Sequence, residues 1–198
     1  LFSPGRRGLF LFGASGAGSV FALGRWWTLL SAGWLHGSLL HIAFNMMWVR
    51  SLAPPTAESY GAGRMVIIYT ISSIAGFFLS SLAAFLTWGA QYPYHMTVGA
   101  SAPIFGLLGA LVYYGRRGSS AVGRQAWGYA VILFLFGLFF PGVVIWAHGG
   151  GFVGGYLAGM LLNPMIPVRG DHLLIAVICL LLTSLAIVAS ILTGIPLI

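Results

Sequence analysis

Four polar residues interrupt long apolar segments of this chain, and their types are those that hydrolytic enzymes use: His41, Asn45, Ser101 and His148. A serine hydroxyl becomes a nucleophile when a neighbouring histidine accepts its proton. His41 and Asn45 are four residues apart, so on a helix they share one face. There they could donate to a developing oxyanion, aided by the Ser101 amide at a helix N-terminus. The same pair could instead form an ordinary hydrogen bond between helices.

The scarcity of acidic residues limits this chemistry. The chain has only two carboxylates, Glu58 and Asp171, and both fall in predicted loops far from the four polar residues. A serine hydrolase would therefore use a serine–histidine dyad rather than a triad, and a pair of facing aspartates is impossible. We expect no metal centre, because HExxH is absent and His41 and Asn45 have no carboxylate or thiolate close in sequence.

Small residues follow both Ser101 and His148 at helical spacing. Such stripes let two helix backbones approach closely, although glycines at this spacing often serve packing alone. We expect this approach to bring Ser101 within hydrogen-bonding distance of His148. The small residues that we expect to support the packing are Gly99, Ala102, Gly106 and Ala110 around the serine, and Gly151, Gly155 and Gly159 after the histidine.

The elements that must position these residues are membrane helices. Apolar side chains make up 59% of the chain and charged ones 6%, and the mean hydropathy is +0.97, far outside the range of soluble domains. The fold class is therefore an all-α polytopic membrane protein. Runs bounded by Arg, Pro, Gly and polar clusters predict about six spans, each near the length that crosses a bilayer: residues 38–57, 64–87, 99–115, 125–140, 146–163 and 172–193.

The charges of the loops predict the orientation of the spans. All nine basic residues are arginines, scattered singly or in pairs, unlike the clusters of a nucleic-acid-binding surface. By the positive-inside rule, the charge-free loops 88–98 and 140–144 face outward. The polar residues at the starts of the spans then share one shallow depth near the outer face. Six arginines are expected in cytoplasmic loops: Arg50, Arg64, Arg116, Arg117, Arg124 and Arg169.

The segment before the first predicted span is expected to be a loop. Residues 9–23 are apolar but are broken by glycines and are too short to span a bilayer, and no cleavable signal peptide is evident. Ser15 in this segment has nearly the same small neighbours as Ser101. No regular helix follows it and no histidine lies at matching depth, so we predict that Ser15 is not a nucleophile.

Three motifs in this order resemble those of the rhomboid family of intramembrane serine proteases. They are HxxxN at residues 41–45, GxSx at 99–102 and AHxxGxxxG at 147–155. The resemblance covers about residues 8–163 and includes GRWWTLLSAGWLHGS before the first motif and FGLLGAL after the serine. Any one motif is a weak signal, whereas three in order are a strong one.

The resemblance implies a function and a set of roles. Ser101 would be the nucleophile, His148 the general base, and His41 with Asn45 the oxyanion stabilisers. The family hydrolyses a peptide bond in or near a substrate's transmembrane segment, without a cofactor, at a site that opens to the outer face. The membrane would be a prokaryotic-type cell membrane. The alternative is a catalytically inactive rhomboid-like protein that binds or escorts membrane clients, although such relatives typically lack the serine or the histidine.

The resemblance also divides the chain. Residues 1–163 would form the rhomboid-like catalytic domain, and residues 171–198 would add a C-terminal transmembrane helix. Within the first part, residues 1–27 resemble the loop between the family's first and second helices, so the first helix is expected to be missing. Pro103 departs from the small residue usual after the serine, and the first turn of a helix tolerates it because its missing N–H would be unbonded there.

Overall fold

The fold is a bundle of helices around one long central helix. The computed structural model describes residues 3–89, 96–139 and 144–197. Short π-helical and 3-10 turns at Gly18–Ala22, Ala32–Trp34 and Ile195–Leu197 join or end the longer elements. The α-helices within these described ranges are α1 (Arg6–Phe12), α2 (Thr28–Ser31), α3 (Leu39–Tyr60), α4 (Ala62–Trp88), α5 (Ser101–Arg117), α6 (Ser120–Phe139), α7 (Ile145–Leu161) and α8 (Gly170–Gly194).

The helices α3 to α8 correspond to the six predicted spans and confirm the all-α polytopic class. In the described part of the chain, three helices are long and apolar enough to cross a membrane by themselves: α4, α6 and α8, with mean hydropathies of 1.9, 1.4 and 2.8. The helices α5 and α7 have 17 residues each and lie mostly inside the bundle. Most of the predicted outer loops 88–98 and 140–144, and the predicted span end at residue 140, lie outside the described residues.

The connection between α3 and α4 is far shorter than predicted. Instead of ending at residue 57, α3 continues through Pro54 and Pro55 to Tyr60, and only Gly61 (φ 87°) separates it from α4. Each proline removes one helical hydrogen bond. The end of the helix is held instead by tertiary contact, since the Tyr60 hydroxyl donates to the Ala110 carbonyl of α5 at 2.9 Å.

The connection between α5 and α6 is also shorter than predicted. α6 begins at Ser120 rather than at residue 125, so only two residues join it to α5. Gly115 of α5 and Gly123 of α6 lie backbone against backbone. Without side chains between them, the two helices can meet directly at the turn, which sequence periodicity alone does not reveal.

Arg64 is predicted to lie in a cytoplasmic loop, and the loop position is wrong because the residue is part of a helix. It lies in the first turn of α4 and is only 2% exposed. Its guanidinium donates to the carbonyls of Asn163 (3.3 Å), Ile166 (2.8 Å) and Pro167 (2.7 Å). These carbonyls belong to the turn between α7 and α8, so Arg64 closes that turn.

A second buried arginine, Arg25, ties the final helix to the start of the chain. It is 1% exposed, donates to the Ser190 carbonyl of α8 at 2.7 Å, and lies 4.3 Å over the Phe10 ring. The Trp27 indole donates to the Ser190 hydroxyl at 3.0 Å. At the other end of α8, the backbone of His172 lies against Gly63 of α4, so α8 packs on the bundle at both of its ends.

The segment before α3 contains short helices in its described part. Ser15 is fully buried, pairs with Thr97 in an antiparallel bridge, and its hydroxyl lies 3.1 Å from that of Ser81. These contacts give Ser15 a packing role. They also attach this segment to the residues that precede α5.

The three bonds of Arg64 predict a large effect on stability. In Arg64→Met the three turn carbonyls lose a charged donor, and each such hydrogen bond contributes about 1.5–3 kcal/mol. We expect thermal unfolding in detergent to show a loss of about 3 kcal/mol or more. The control Arg50→Met removes an exposed arginine of α3 and should shift stability by about 0.5 kcal/mol or less. Equal effects in the two variants would contradict this role for Arg64.

Candidate active site

The site is built on the contact between α5 and α7. Gly151 lies against Ala102, Gly155 against Gly106, and Gly159 against Ala110. Each step moves four residues along both helices, so the two helices run parallel with their N-termini at the same end of the bundle. The predicted stripes of small residues thus face each other, and they place the starts of α5 and α7 side by side.

A third backbone enters this contact from α4, at a residue that the sequence reasoning missed. A Cβ atom built on Gly76 would lie 2.6 Å from the Ala147 carbonyl oxygen and 2.7 Å from the Ala102 Cβ. Real side chains do not approach so closely, so only glycine fits there. Ala102 and Ala147 directly adjoin Ser101 and His148, and α4 therefore fixes both neighbours of the two candidate catalytic residues.

Ser101 is the first residue of α5, in a turn that is held from two directions. Gly99, with φ of 125°, donates its N–H to the Ala32 carbonyl at 3.0 Å, and Thr97 pairs with Ser15. The first amides of a helix have no partner within the helix, so the Ser101 N–H is free of helical bonding. The helix continues unbroken through the buried Pro103, as expected for a proline in the first turn.

His148 lies in the first turn of α7 and is 7% exposed. Its ring stacks on Phe105 with centroids 4.3 Å apart and planes at 16°, and Phe105 lies one helical turn after Ser101. The expected hydrogen bond between Ser101 and His148 is not formed among the described residues. The Nδ1 atom of His148 is buried and also has no partner there. Stacking, rather than a hydrogen bond, holds this ring beside the serine turn.

His41 and Asn45 lie on the face of α3 that meets the serine turn. A Cβ atom built on Gly99 would lie 2.7 Å from the His41 Nε2 and 3.4 Å from the Asn45 Nδ2. The His41 Nδ1 accepts the Gly37 N–H at 3.3 Å, so in the neutral ring Nε2 carries the proton. The Asn45 Nδ2 is buried without a partner in the described structure. Two N–H donors thus face the backbone immediately before Ser101.

His36 is a further residue that sequence reasoning left out, because its spacing of five from His41 places it off the helical face. It lies before α3, and its ring meets the His41 ring edge to face, with centroids 5.2 Å apart. Burial, together with the nearby His41, lowers the pKa of His36 to about 4. His36 is therefore neutral at physiological pH and packs behind His41 without adding charge to the site.

The two carboxylates lie away from these residues. Glu58 is exposed near the end of α3, and Asp171 pairs with Arg169 at 3.0 Å at the start of α8. Across the described ranges, no group of three or more His, Cys, Asp or Glu side chains could hold a metal ion. Cys179 is a free thiol in α8.

The fold and this arrangement define a polytopic helical membrane protein with a serine and a histidine at the adjacent ends of two touching helices. Residues 23–165 match the Rhomboid domain family model. The chain belongs to the rhomboid family.

The similar proteins include members from bacteria and from plants. The chain is 33% identical to the Rhomboid protease GluP of Bacillus subtilis (strain 168) over 88% of its own length and 33% of that protein. It is 31% identical to the RHOMBOID-like protein 7 of Arabidopsis thaliana over 82% of its length and 51% of the relative. The chain is 28% identical to the putative rhomboid protease YdcA of Bacillus subtilis (strain 168) over 71% of its own length and 69% of that protein. The chain thus spans between a third and about half of the first two of these relatives.

The contact between Gly155 and the Gly106 backbone predicts a sensitivity to a single methyl group. Gly155→Ala inserts a Cβ into the Gly106 carbonyl, so we expect a loss of about 1–3 kcal/mol in thermal unfolding. The control Gly149→Ala adds the same methyl to the same helix where nothing lies within 4 Å. It should leave stability unchanged or raised, because alanine favours a helix over glycine. A Gly155→Ala variant as stable as Gly149→Ala would show that the backbones do not touch.

Proposed function

We propose that this chain is an intramembrane serine endopeptidase that hydrolyses peptide bonds in or near transmembrane segments of membrane proteins by a serine–histidine dyad. The observation that carries the proposal is the meeting of three helix ends: Ser101 at the start of α5, His148 in the first turn of α7, and the donors of α3 facing the serine turn. Relatives named as rhomboid proteases support the same activity.

The proposed reaction uses one base twice. The Ser101 Oγ attacks the scissile carbonyl carbon while His148 takes the hydroxyl proton. When the tetrahedral intermediate collapses and the C–N bond breaks, His148 returns that proton to the leaving amine. A water molecule then attacks the acyl-enzyme carbonyl while His148 takes one of its protons. When the ester C–O bond breaks, His148 returns that proton to the Ser101 Oγ and the new carboxyl terminus leaves. This cycle balances without a cofactor.

The geometry supports a dyad because no carboxylate among the described residues reaches His148. In a triad, a carboxylate orients the Nδ1–H of the histidine, whereas here Nδ1 is without a partner in the described residues. Stacking on Phe105 takes over the orienting role. In proteases without substrate, the bond between nucleophile and base is often long and tightens in the complex, and the Ser101–His148 pair requires such a closure.

The proposed oxyanion site uses three N–H donors, of which the Asn45 amide is buried without a partner among the described residues. The Asn45 amide, the His41 Nε2–H and the Ser101 N–H converge around the backbone at Gly99. Preorganised donors in a site of low dielectric stabilise a developing oxyanion strongly. A buried amide without a partner is costly in a resting protein, and an oxyanion would satisfy it during the reaction.

The dyad is tested by two substitutions. Ser101→Ala should abolish both cleavage of a transmembrane reporter and labelling by a fluorophosphonate probe, because the nucleophile is lost. His148→Ala should lower cleavage by about 10²–10⁴-fold, the usual contribution of a general base. Ser15→Ala, at the buried look-alike serine, should keep full labelling. Unimpaired cleavage in either dyad variant would contradict the proposal. A folded wild-type chain that binds membrane clients but is never labelled by the fluorophosphonate probe would favour the inactive alternative.

The oxyanion role of Asn45 predicts a separation of turnover from binding. Asn45→Ala should lower kcat by about 10²–10³-fold and change KM little, since the lost hydrogen bond forms only as the oxyanion develops. Met47→Ala, on the exposed side of the same helix, is the matched control and should retain turnover. If Asn45→Ala left kcat unchanged, Asn45 would be a packing residue only.

A further inference from the structure

A groove opens between α5 and α6 at the end of the bundle opposite Ser101. Its floor is the place where Gly115 and Gly123 touch backbone to backbone, so no side chain fills it. Val112 and Trp127 form apolar sides, and Trp127 is 55% exposed. Along α5, the groove begins at Val112, about 17 Å from Ser101 at about 1.5 Å per residue, so it is separate from the proposed active site.

One end of this groove carries positive charge with no acidic counterpart. Arg116 and Arg124 line it, and neither Glu58 nor Asp171 does. The Arg116 guanidinium lies 5.6 Å from the Tyr156 ring, and Arg124 donates to the Ser120 hydroxyl at 3.2 Å. Both contacts leave the charges uncompensated. An anion with several acceptor oxygens would complement them, since a guanidinium matches phosphate geometry with paired donors.

The apolar part of the groove decides what kind of anion fits. An inorganic phosphate would satisfy the arginines but leave the glycine floor and the Trp127 ring uncovered. A phospholipid covers both, with its phosphate between the arginines and an acyl chain along the floor. Tryptophan at such a position is typical of the membrane interface, and basic pockets between transmembrane helices bind anionic head groups.

We propose that this groove binds a phospholipid with an anionic head group, whose phosphate lies between Arg116 and Arg124 and whose acyl chain follows the floor past Gly128. The inference does not depend on the proposed proteolytic activity. It assigns to these two arginines a ligand in addition to any part they play in orienting the helices.

Native mass spectrometry of the full chain, with phosphatidylglycerol or phosphatidylcholine added, tests the proposal. The wild type should retain phosphatidylglycerol in preference to phosphatidylcholine. The double variant Arg116→Gln/Arg124→Gln should lose about tenfold or more in affinity for phosphatidylglycerol. The matched control Arg50→Gln/Arg117→Gln removes two charges outside the groove lining and should lose less than about threefold. Equal losses would show general attraction to the charged chain and would overturn the site.

A second variant keeps both charges and blocks the floor. Gly128 lines the groove, and nothing lies within 4 Å of a Cβ built on it. A side chain can therefore start there without a clash at Cβ, and Gly128→Leu extends an apolar side chain into the groove. It should fold with wild-type thermal stability and lose phosphatidylglycerol about tenfold, whereas Gly149→Leu, also at an open helical position, should retain it. The proposal would be overturned if Gly128→Leu bound phosphatidylglycerol as well as the wild type, or if inorganic phosphate alone displaced the lipid. It would also be overturned if the two arginines served a dimer, seen as a dimer that only Arg116→Gln/Arg124→Gln abolishes.

Discussion

Three helix backbones touch at Gly76, Ala102 and Gly151, and the rest of the candidate site depends on this contact. Helices with ordinary side chains pack with axes about 8–10 Å apart, and glycine or alanine at every facing position permits a closer approach. The residues that could do chemistry directly adjoin the touching ones. Ser101 precedes Ala102, and His148 follows Ala147, whose carbonyl meets Gly76. The close packing thus carries two side chains from separate helices to one place, and Phe105 holds the histidine ring there.

The charged residues that are buried serve the framework. Arg64 and Arg25 each direct their guanidinium groups to backbone carbonyls, at the α7–α8 turn and at Ser190 of α8. Buried carbonyls in a turn need hydrogen-bond partners, and an arginine with five donors can satisfy several of them. In a chain with two carboxylates, carbonyls replace acidic side chains as the partners of buried cations. Charge therefore stabilises turns here as well as marking loops.

The residues around the serine turn are held through contacts that are distant in sequence. α8 contacts Arg25 and Trp27 through Ser190. The segment before them reaches Thr97 through the bridge from Ser15, and Thr97 lies just before Gly99. Contacts therefore continue from the C-terminal helix to the start of α5. At the far end of α5, the glycine contact with α6 leaves the groove between these two helices. One helix thus connects the proposed active site with the proposed lipid site.

Three features could be predicted from the amino-acid sequence because apolar run length and helical spacing are local properties. They are the membrane class, the helices α3 to α8 within a few residues, and the stripes of small residues. His41, Asn45, Ser101 and His148 are candidates that residue type and spacing already suggest, and the scarcity of carboxylates argues against an acidic partner. The sequence did not reveal Gly76, the stacking of His148 on Phe105, the His36–His41 contact or the burial of Arg25 and Arg64. The end of α3 and the start of α6 also differ from the prediction, by three and five residues. These features become visible only in the folded chain, since each depends on atoms from helices that are far apart in sequence. Contact between such helices overrides local signals such as a pair of prolines or a charge.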